Sequence, residues 1–393
     1  MTAEPIRIWL VAGEESGDQL GAKLMSVLER EYGDRTVRFA GVGGPAMLAR
    51  GLEPLFPMTD INVMGIGAVV AQLPRIVRRV YETVDAVVAA KPDALVIIDS
   101  PDFTHQVARR VRRRAPGIPI INYVSPSVWA WRPGRAKAMR AYVDHVLALK
   151  PFEPAALLRL GGPPCTYVGH PLVEQIDALR PQAGERPPLA ADPLRLLVLP
   201  GSRRSEISRL LDPFGGALEL LAPRLGRPLE VTVPAVAHLA DVIEAKVKAW
   251  PVPARVVRGE AAKWAAFRGA HAALAASGTV TLELALSGVP MTVAYKVSAL
   301  EYALRHLVKV SSIVLANLIL DENVIPERIQ ENCTPEILSR DLLALLADTP
   351  ERRAQLDAFA RLDDLMAVEG GEPSRRAARV LIETIGHRAI PAS

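Results

Sequence analysis

The stretch LRLLVLPGSRRSEISRL (Leu194–Leu210) gathers the residue types that hold an anion. Its apolar run from Leu194 to Leu199, broken only by Arg195, reads as a buried parallel strand. Pro200-Gly201 forces a turn, and Ser202 is placed to cap a helix whose first residues include Arg203, Arg204 and Glu206. A strand, a glycine turn and a helix start aim free backbone N–H groups and the helix dipole at one spot. Two arginines there add charge-assisted, bidentate contacts, so a diphosphate fits. An ordinary βα turn with solvated arginines fits the same residues. Ser277-Gly278-Thr279 offers a second such turn, entered from the small-residue strand Ala273–Ala276. If a helix starts near Thr279, Glu283 lies one turn on along the same face. The Gly278 and Thr279 amides would then meet phosphate while Glu283 accepts from ribose hydroxyls. The plainer alternative is a capped helix with a solvated Glu283.

Other catalytic signatures are missing. The chain has no GxxxxGK[ST], HExxH or GxSxG, and GVGGP (Gly41–Pro45) departs from GxGxxG. No Asp-x-Asp occurs, so a metal bridging a nucleotide diphosphate has no evident holder. Cys165 and Cys333 are too far apart for a CxxC site, and two cysteines make no disulfide framework, which suits a reducing compartment. No metal or cofactor is expected. His170, beside Pro171, reads as a hydrogen-bonded histidine at a domain edge.

The elements that position these turns alternate along the whole chain. Strands are expected at Ile6–Val11, Arg38–Val42, Ala94–Ile98, Ile118–Val124 and Val143–Leu149 in the first half. In the second they fall near Leu196 and at Leu229–Val233, Ala254–Val257, Ala272–Ala275 and Met291–Ala294. Ala94–Ile98 delivers Asp99-Ser100-Pro101-Asp102 at its carboxyl end. Residues 178–193, with four prolines and little apolar content, read as a linker. The expected architecture is α/β: two doubly wound Rossmann-like domains, 1–177 and 194–372, facing a central cleft. Residues 373–393 add a terminal helix able to dock on a neighbouring surface.

At 393 residues the chain exceeds one ordinary core. Half of the residues are apolar and 23% are charged, a globular balance, and a net charge of +4 gives no nucleic-acid binder. The run Ile8–Ala12 is too short for an export signal and meets Glu14 and Glu15 at once. No stretch approaches the ~20 apolar residues of a membrane span. Within 63–84, however, Val69, Leu73 and Ile76 form an apolar stripe beside Arg75, Arg78 and Arg79, a pattern suited to an anionic bilayer surface. A helix packed on its sheet with solvated arginines accounts for it equally.

The strings VAGEESGD, GVGGPAM, VMGI, IDSPDF, YVSPSVWAWR, VGHPL, LPGSRRSEI and ASGTVTLELAL, followed by IPERIQ, occur in order from Val11 to Gln330. With them the chain resembles the lipid-A-disaccharide synthases; Glu15, where the family usually has alanine, is a small departure. The resemblance implies the GT-B glycosyltransferase fold, closed by the 373–393 helix returning to the first domain. It implies transfer of diacylglucosamine from UDP-diacylglucosamine to the 6-hydroxyl of diacylglucosamine 1-phosphate, with inversion and release of UDP. The implied setting is cytoplasmic, at the inner-membrane surface, and is compatible with a homodimer. Asp99 becomes the candidate base, with Asp102 its competitor and Glu14 its helper. Ser202, Arg203, Gly278, Thr279 and Glu283 become the UDP site, while Ser16, Asn317 and Gln330 are carried over on the resemblance alone. Another UDP-sugar enzyme of the same fold, such as an N-acetylglucosamine epimerase, would keep the nucleotide turns without needing YVSPSVWAWR. A non-catalytic nucleotide-sugar-binding protein at the membrane would tolerate loss of Asp99.

Overall fold

Apolar runs separated by helices dictate parallel pairing with helices on both faces, which the computed structural model contains. The structure describes residues 4–62, 66–298, 302 and 310–389, the side chains of 66–71 and 387–389 excepted. The chain divides into unit 1, Met1–Val173 with Ala367–Ser393, and unit 2, Glu174–Met366.

In unit 1, β1 (Ile6–Ala12), β2 (Val37–Val42), β3 (Glu53–Pro54), β4 (Ala94–Ile98), β5 (Ile120–Tyr123), β6 (His145–Ala148) and β7 (Cys165–Tyr167) form one parallel sheet. Their order is β3-β2-β1-β4-β5-β6-β7, so the connection reverses direction between β1 and β4. That reversal opens a crevice at the carboxyl ends of the two strands. Every residue of β4 is buried, as a strand covered on both faces requires. The helix Pro373–Ala389 adds Ala377, Ala378, Val380 and Leu381 to this core and packs beside helix Glu15–Glu31, where Arg375 meets Glu31 at 2.9 Å.

Unit 2 repeats the plan with β8 (Leu194–Leu199), β9 (Leu229–Ala235), β10 (Ala254–Arg258), β11 (Ala272–Ala276), β12 (Met291–Tyr295) and β13 (Glu327–Ile329), ordered β10-β9-β8-β11-β12-β13. Its reversal lies between β8 and β11, whose ends register as Leu199 with Ala275. The Pro-rich stretch 178–193 is no loose tether. The Arg186 guanidinium donates to the carbonyls of Phe267, Arg268, Ser287 and Gly288, thereby capping the ends of helices Glu260–Gly269 and Thr279–Leu286.

Three histidines, His105, His170 and His271, are buried, and burial lowers the pKa of each. Asn122 donates its amide to the Val124 carbonyl at 2.8 Å, leaving its oxygen to accept from His105 Nε2 at 3.0 Å. His105 Nδ1 therefore accepts from the Tyr142 hydroxyl, 3.0 Å away. Burial pushes His105 down to about 4, and burial with the nearby Lys150 charge pushes His170 down to about 3. The unfolded chain, with ordinary histidines near 6.5, thus binds more protons than the native state between pH 6.5 and about 4. Stability present above pH 6.5 is lost as pH falls through this window, by about 3 kcal/mol from His105 alone. Between pH 7.5 and 5.0 about 2 kcal/mol of the His105 contribution is lost, so urea midpoints at these two pH values should differ, and the difference should shrink in His105→Gln. Equal midpoints for the parent would refute it.

Candidate functional site

β1 and β4 end side by side, Ala12 in register with Ile98, and the residues that follow them converge. Asp99 and Ser100 both take the left-handed backbone, with φ of +54° and +42°. This conformation costs non-glycine residues of order 1 kcal/mol each and is maintained only by surrounding contacts. Here Thr104 Oγ1 donates to the Asp99 carbonyl at 2.7 Å, and the Ser100 amide donates to Asp99 Oδ1 at 2.8 Å. Ser16 Oγ lies 3.4 Å from Asp99 Oδ2, and Ser100 Oγ lies 3.4 Å from Glu14 Oε1. Gly13 is needed beneath them, because a Cβ there would sit 2.4 Å from Ser100 Oγ. The structure thus brings Glu14, Ser16 and Asp99 into one half-open cluster and adds Ser100. Asp102 turns away to Arg135, 2.9 Å distant, with its side chain 84% exposed. Asp18, from the same GEESGD string, is structural: buried, it accepts from the amides of Gly44, Ala46 and Met47.

The turn after β8 differs from expectation. Arg203, not Ser202, caps helix Arg204–Leu225, and the buried Glu206 carboxylate already occupies the anion position. Its Oε2 accepts from the amides of Ser202 at 3.0 Å and Arg203 at 3.2 Å, while Oε1 meets Arg203 Nη1 at 2.8 Å. A glutamate three residues into a helix commonly returns to the cap in this way, so the Arg203-to-Glu206 spacing carried the signal. The neighbouring turn after β11 is open. Helix Thr279–Leu286 begins at Thr279 with no side-chain cap, Gly278 and Thr279 are exposed, and a Cβ on Gly278 (φ +154°) would touch nothing. Glu283 is not the solvated carboxylate expected of a plain helix face. It is 12% exposed and pairs with Lys263 Nζ at 2.7 Å, in a geometry that leaves Oε2 without a hydrogen bond.

Two carried-over residues have partners within the fold. Asn317 is buried, donating to the Ile325 carbonyl and Glu327 and accepting from the Ile325 amide, each at 3.0 Å. Gln330 (φ +51°) accepts from the Val297 amide at 2.7 Å and lines a hollow of about 500 Å³ with Arg209, Lys296, Tyr302 and Glu331.

The stripe on helix Ile66–Ala90 splits in two. Ile76, Val80 and Val84 pack on the unit 1 core, whereas Leu73, Val77 and Tyr81 are exposed at 51, 44 and 51%. Arg75 and Arg78 are exposed, but Arg79 is not a free surface cation. It is held by Asp60 and Glu82 and lies over the Phe56 ring at 4.4 Å, so it belongs to the packing and not to a bilayer contact. The side chain of Val69 and residues 63–65 lie outside the described residues.

Two doubly wound parallel units, each with side chains gathered at its switch point, define a protein of the GT-B fold class. Solved structures with this fold include MurG from Acinetobacter baumannii, at TM-score 0.56 and 16% identity over 98% of this chain and 100% of that one. They also include UDP-GlcNAc 2-epimerase from Neisseria meningitidis bound to UDP-GlcNAc, at TM-score 0.57 and 11% identity over 97% and 99%. The chain belongs to the lipid-A-disaccharide synthetase family, whose model matches residues 8–377. It is 58% identical over 380 residues, 96% of each chain, to the lipid-A-disaccharide synthase of Nitrobacter hamburgensis. It is 43% identical over 397 residues to that of Ruegeria pomeroyi, covering 97% of this chain and 96% of that one.

Proposed function

We propose that this chain transfers diacylglucosamine from UDP-diacylglucosamine to the 6-hydroxyl of diacylglucosamine 1-phosphate. Asp99 takes the hydroxyl proton as that oxygen attacks the donor anomeric carbon, the bond to the diphosphate breaks, and UDP leaves with inversion. Glu14 and Ser16 orient the hydroxyl and the base. The turns after β8 and β11 stabilise the leaving diphosphate through Arg203 and the Gly278 and Thr279 amides, and Glu283 holds the ribose. The observation that carries this reading is the Glu14–Ser16–Asp99 cluster at a switch point, in a chain matched to the family over nearly its full length. UDP release should require both sugars and persist with a chelator present. Release that proceeds without the acceptor would overturn it.

Acylated sugars are presented at a bilayer surface, and we place the protein at the cytoplasmic face of the inner membrane. Among the described residues no helix is long and apolar enough to cross a membrane. Leu73, Val77 and Tyr81 lie one turn apart along an exposed line, next to Arg75 and Arg78. Each arginine near an anionic surface is worth about 1 kcal/mol, so Arg75→Ser and Arg78→Ser should each weaken vesicle binding about fivefold at low salt. Arg79→Ser should instead lower the melting temperature. Unchanged sedimentation of the Arg75→Ser/Arg78→Ser double variant with anionic vesicles would remove this patch from the membrane.

A further inference from the structure

The segment between β5 and helix Gly134–Met139 is fastened with more care than a connecting loop needs. It leaves the sheet next to Asp99: Ile98 registers with Tyr123, and the Asp99 amide donates to the Tyr123 carbonyl at 3.2 Å. Val124 follows with φ +75°, an outlier for a β-branched residue, and Arg132 near the far end has φ +53°. Strain of this kind survives where contacts enforce it, and it concentrates at functional sites. The contacts here are specific. Asn122 holds the Val124 carbonyl, and Trp129 sits edge-on to Phe152 at 5.0 Å with its Nε1 donating to the buried Glu153 at 3.2 Å. Arg135 ties the end of the segment to Asp102, in the first turn after the Asp99 strand.

This fastening presents one unusual pair. Trp131 is 43% exposed, although Trp129 two residues earlier is an anchor. Arg132 lies over the Trp131 ring at 4.2 Å and has no carboxylate partner among the described residues. Stacking orients a guanidinium without neutralising it. A planar fork held that way matches a phosphate monoester, which carries about −1.5 to −2 charges at neutral pH, and the exposed part of the indole offers an apolar surface for a pyranose. We infer that Trp131 and Arg132, on the segment that leaves the sheet next to Asp99, bind the acceptor, the guanidinium on its anomeric phosphate and the indole against its sugar ring. The inference rests on the glycosyltransferase reading and deepens it.

Full-length enzyme in detergent micelles, free of vesicles, is assayed with diacylglucosamine 1-phosphate and with its dephosphorylated counterpart. The parent should prefer the phosphorylated acceptor. Arg132→Gln should raise KM for that acceptor tenfold or more, leave donor KM and kcat within about twofold, and erase the preference. Arg132→Lys should recover part of it. Trp131→Ala should raise KM for both acceptors alike, and Trp131→Phe should restore most of the loss. A parent without preference, a rise in donor KM, or an Arg132→Gln enzyme that still discriminates overturns the inference. Loss of binding to phosphatidylglycerol vesicles with acceptor kinetics unchanged would assign the pair to the bilayer instead. A parent that releases no UDP at all strikes the glycosyltransferase reading itself, whereas these other outcomes leave it standing.

Discussion

Asp99→Asn should lower kcat by about 10²–10⁴-fold while UDP affinity and the melting temperature stay near those of the parent. The amide keeps the shape of the side chain: its oxygen can still accept from the Ser100 backbone, and its NH2 group can donate to the Ser16 hydroxyl in place of the bond the carboxylate accepts there. It cannot take a proton. Asp102, the rival from the same string, is committed to Arg135 and largely in solvent, so Asp102→Asn should change turnover by less than a few-fold. Glu14→Gln should fall between them, because Glu14 reaches the cluster through Ser100. Steady-state rates for the three variants decide. If Asp99→Asn keeps most of its turnover and Glu14→Gln does not, the base is Glu14.

Arg203→Ala should weaken UDP binding by about tenfold to a hundredfold. A lost charge-assisted hydrogen bond is worth roughly 1.5–3 kcal/mol, and about 1.4 kcal/mol corresponds to a factor of ten. Arg203 is 64% exposed, so folding should tolerate the change, and its guanidinium is already aimed at the turn by Glu206. Calorimetric titration with UDP measures the effect directly. A folded variant that binds UDP like the parent takes Arg203 out of the site.

Much of this architecture was legible because strand, turn and helix succeed one another with clear punctuation. Ala94–Ile98 is bounded as expected, and the helix after Gly278 begins at Thr279. The strands at Glu53–Pro54, Cys165–Tyr167 and Glu327–Ile329 were not foreseen: with two or three residues each, they carry no periodicity to read. Side-chain employment was harder still. Arg75, Arg78 and Arg79 look alike along a helix, and only Asp60 and Phe56, from a distant stretch of chain, remove Arg79 from the surface. Likewise, Asp18 could pass for an active carboxylate until the amides of Gly44, Ala46 and Met47 claim it. Asn317 gave no local sign that Ile325 and Glu327 would occupy it. Such pairings depend on which loops the fold brings together, and sequence spacing does not encode them.

The carboxylate of Glu206 at the turn after β8 changes what kind of receptor that turn is. For the diphosphate proposed to bind there, the turn is not a vacancy: the ligand would have to displace a tethered carboxylate whose local concentration is fixed by the helix that carries it, independently of anything in solution. Eviction demands that the incoming molecule compensate by holding on elsewhere as well, which orthophosphate or acetate cannot do. On the proposed reading the turn would act as a threshold filter, indifferent to small anions and responsive to a ligand long enough to bring its own second handhold.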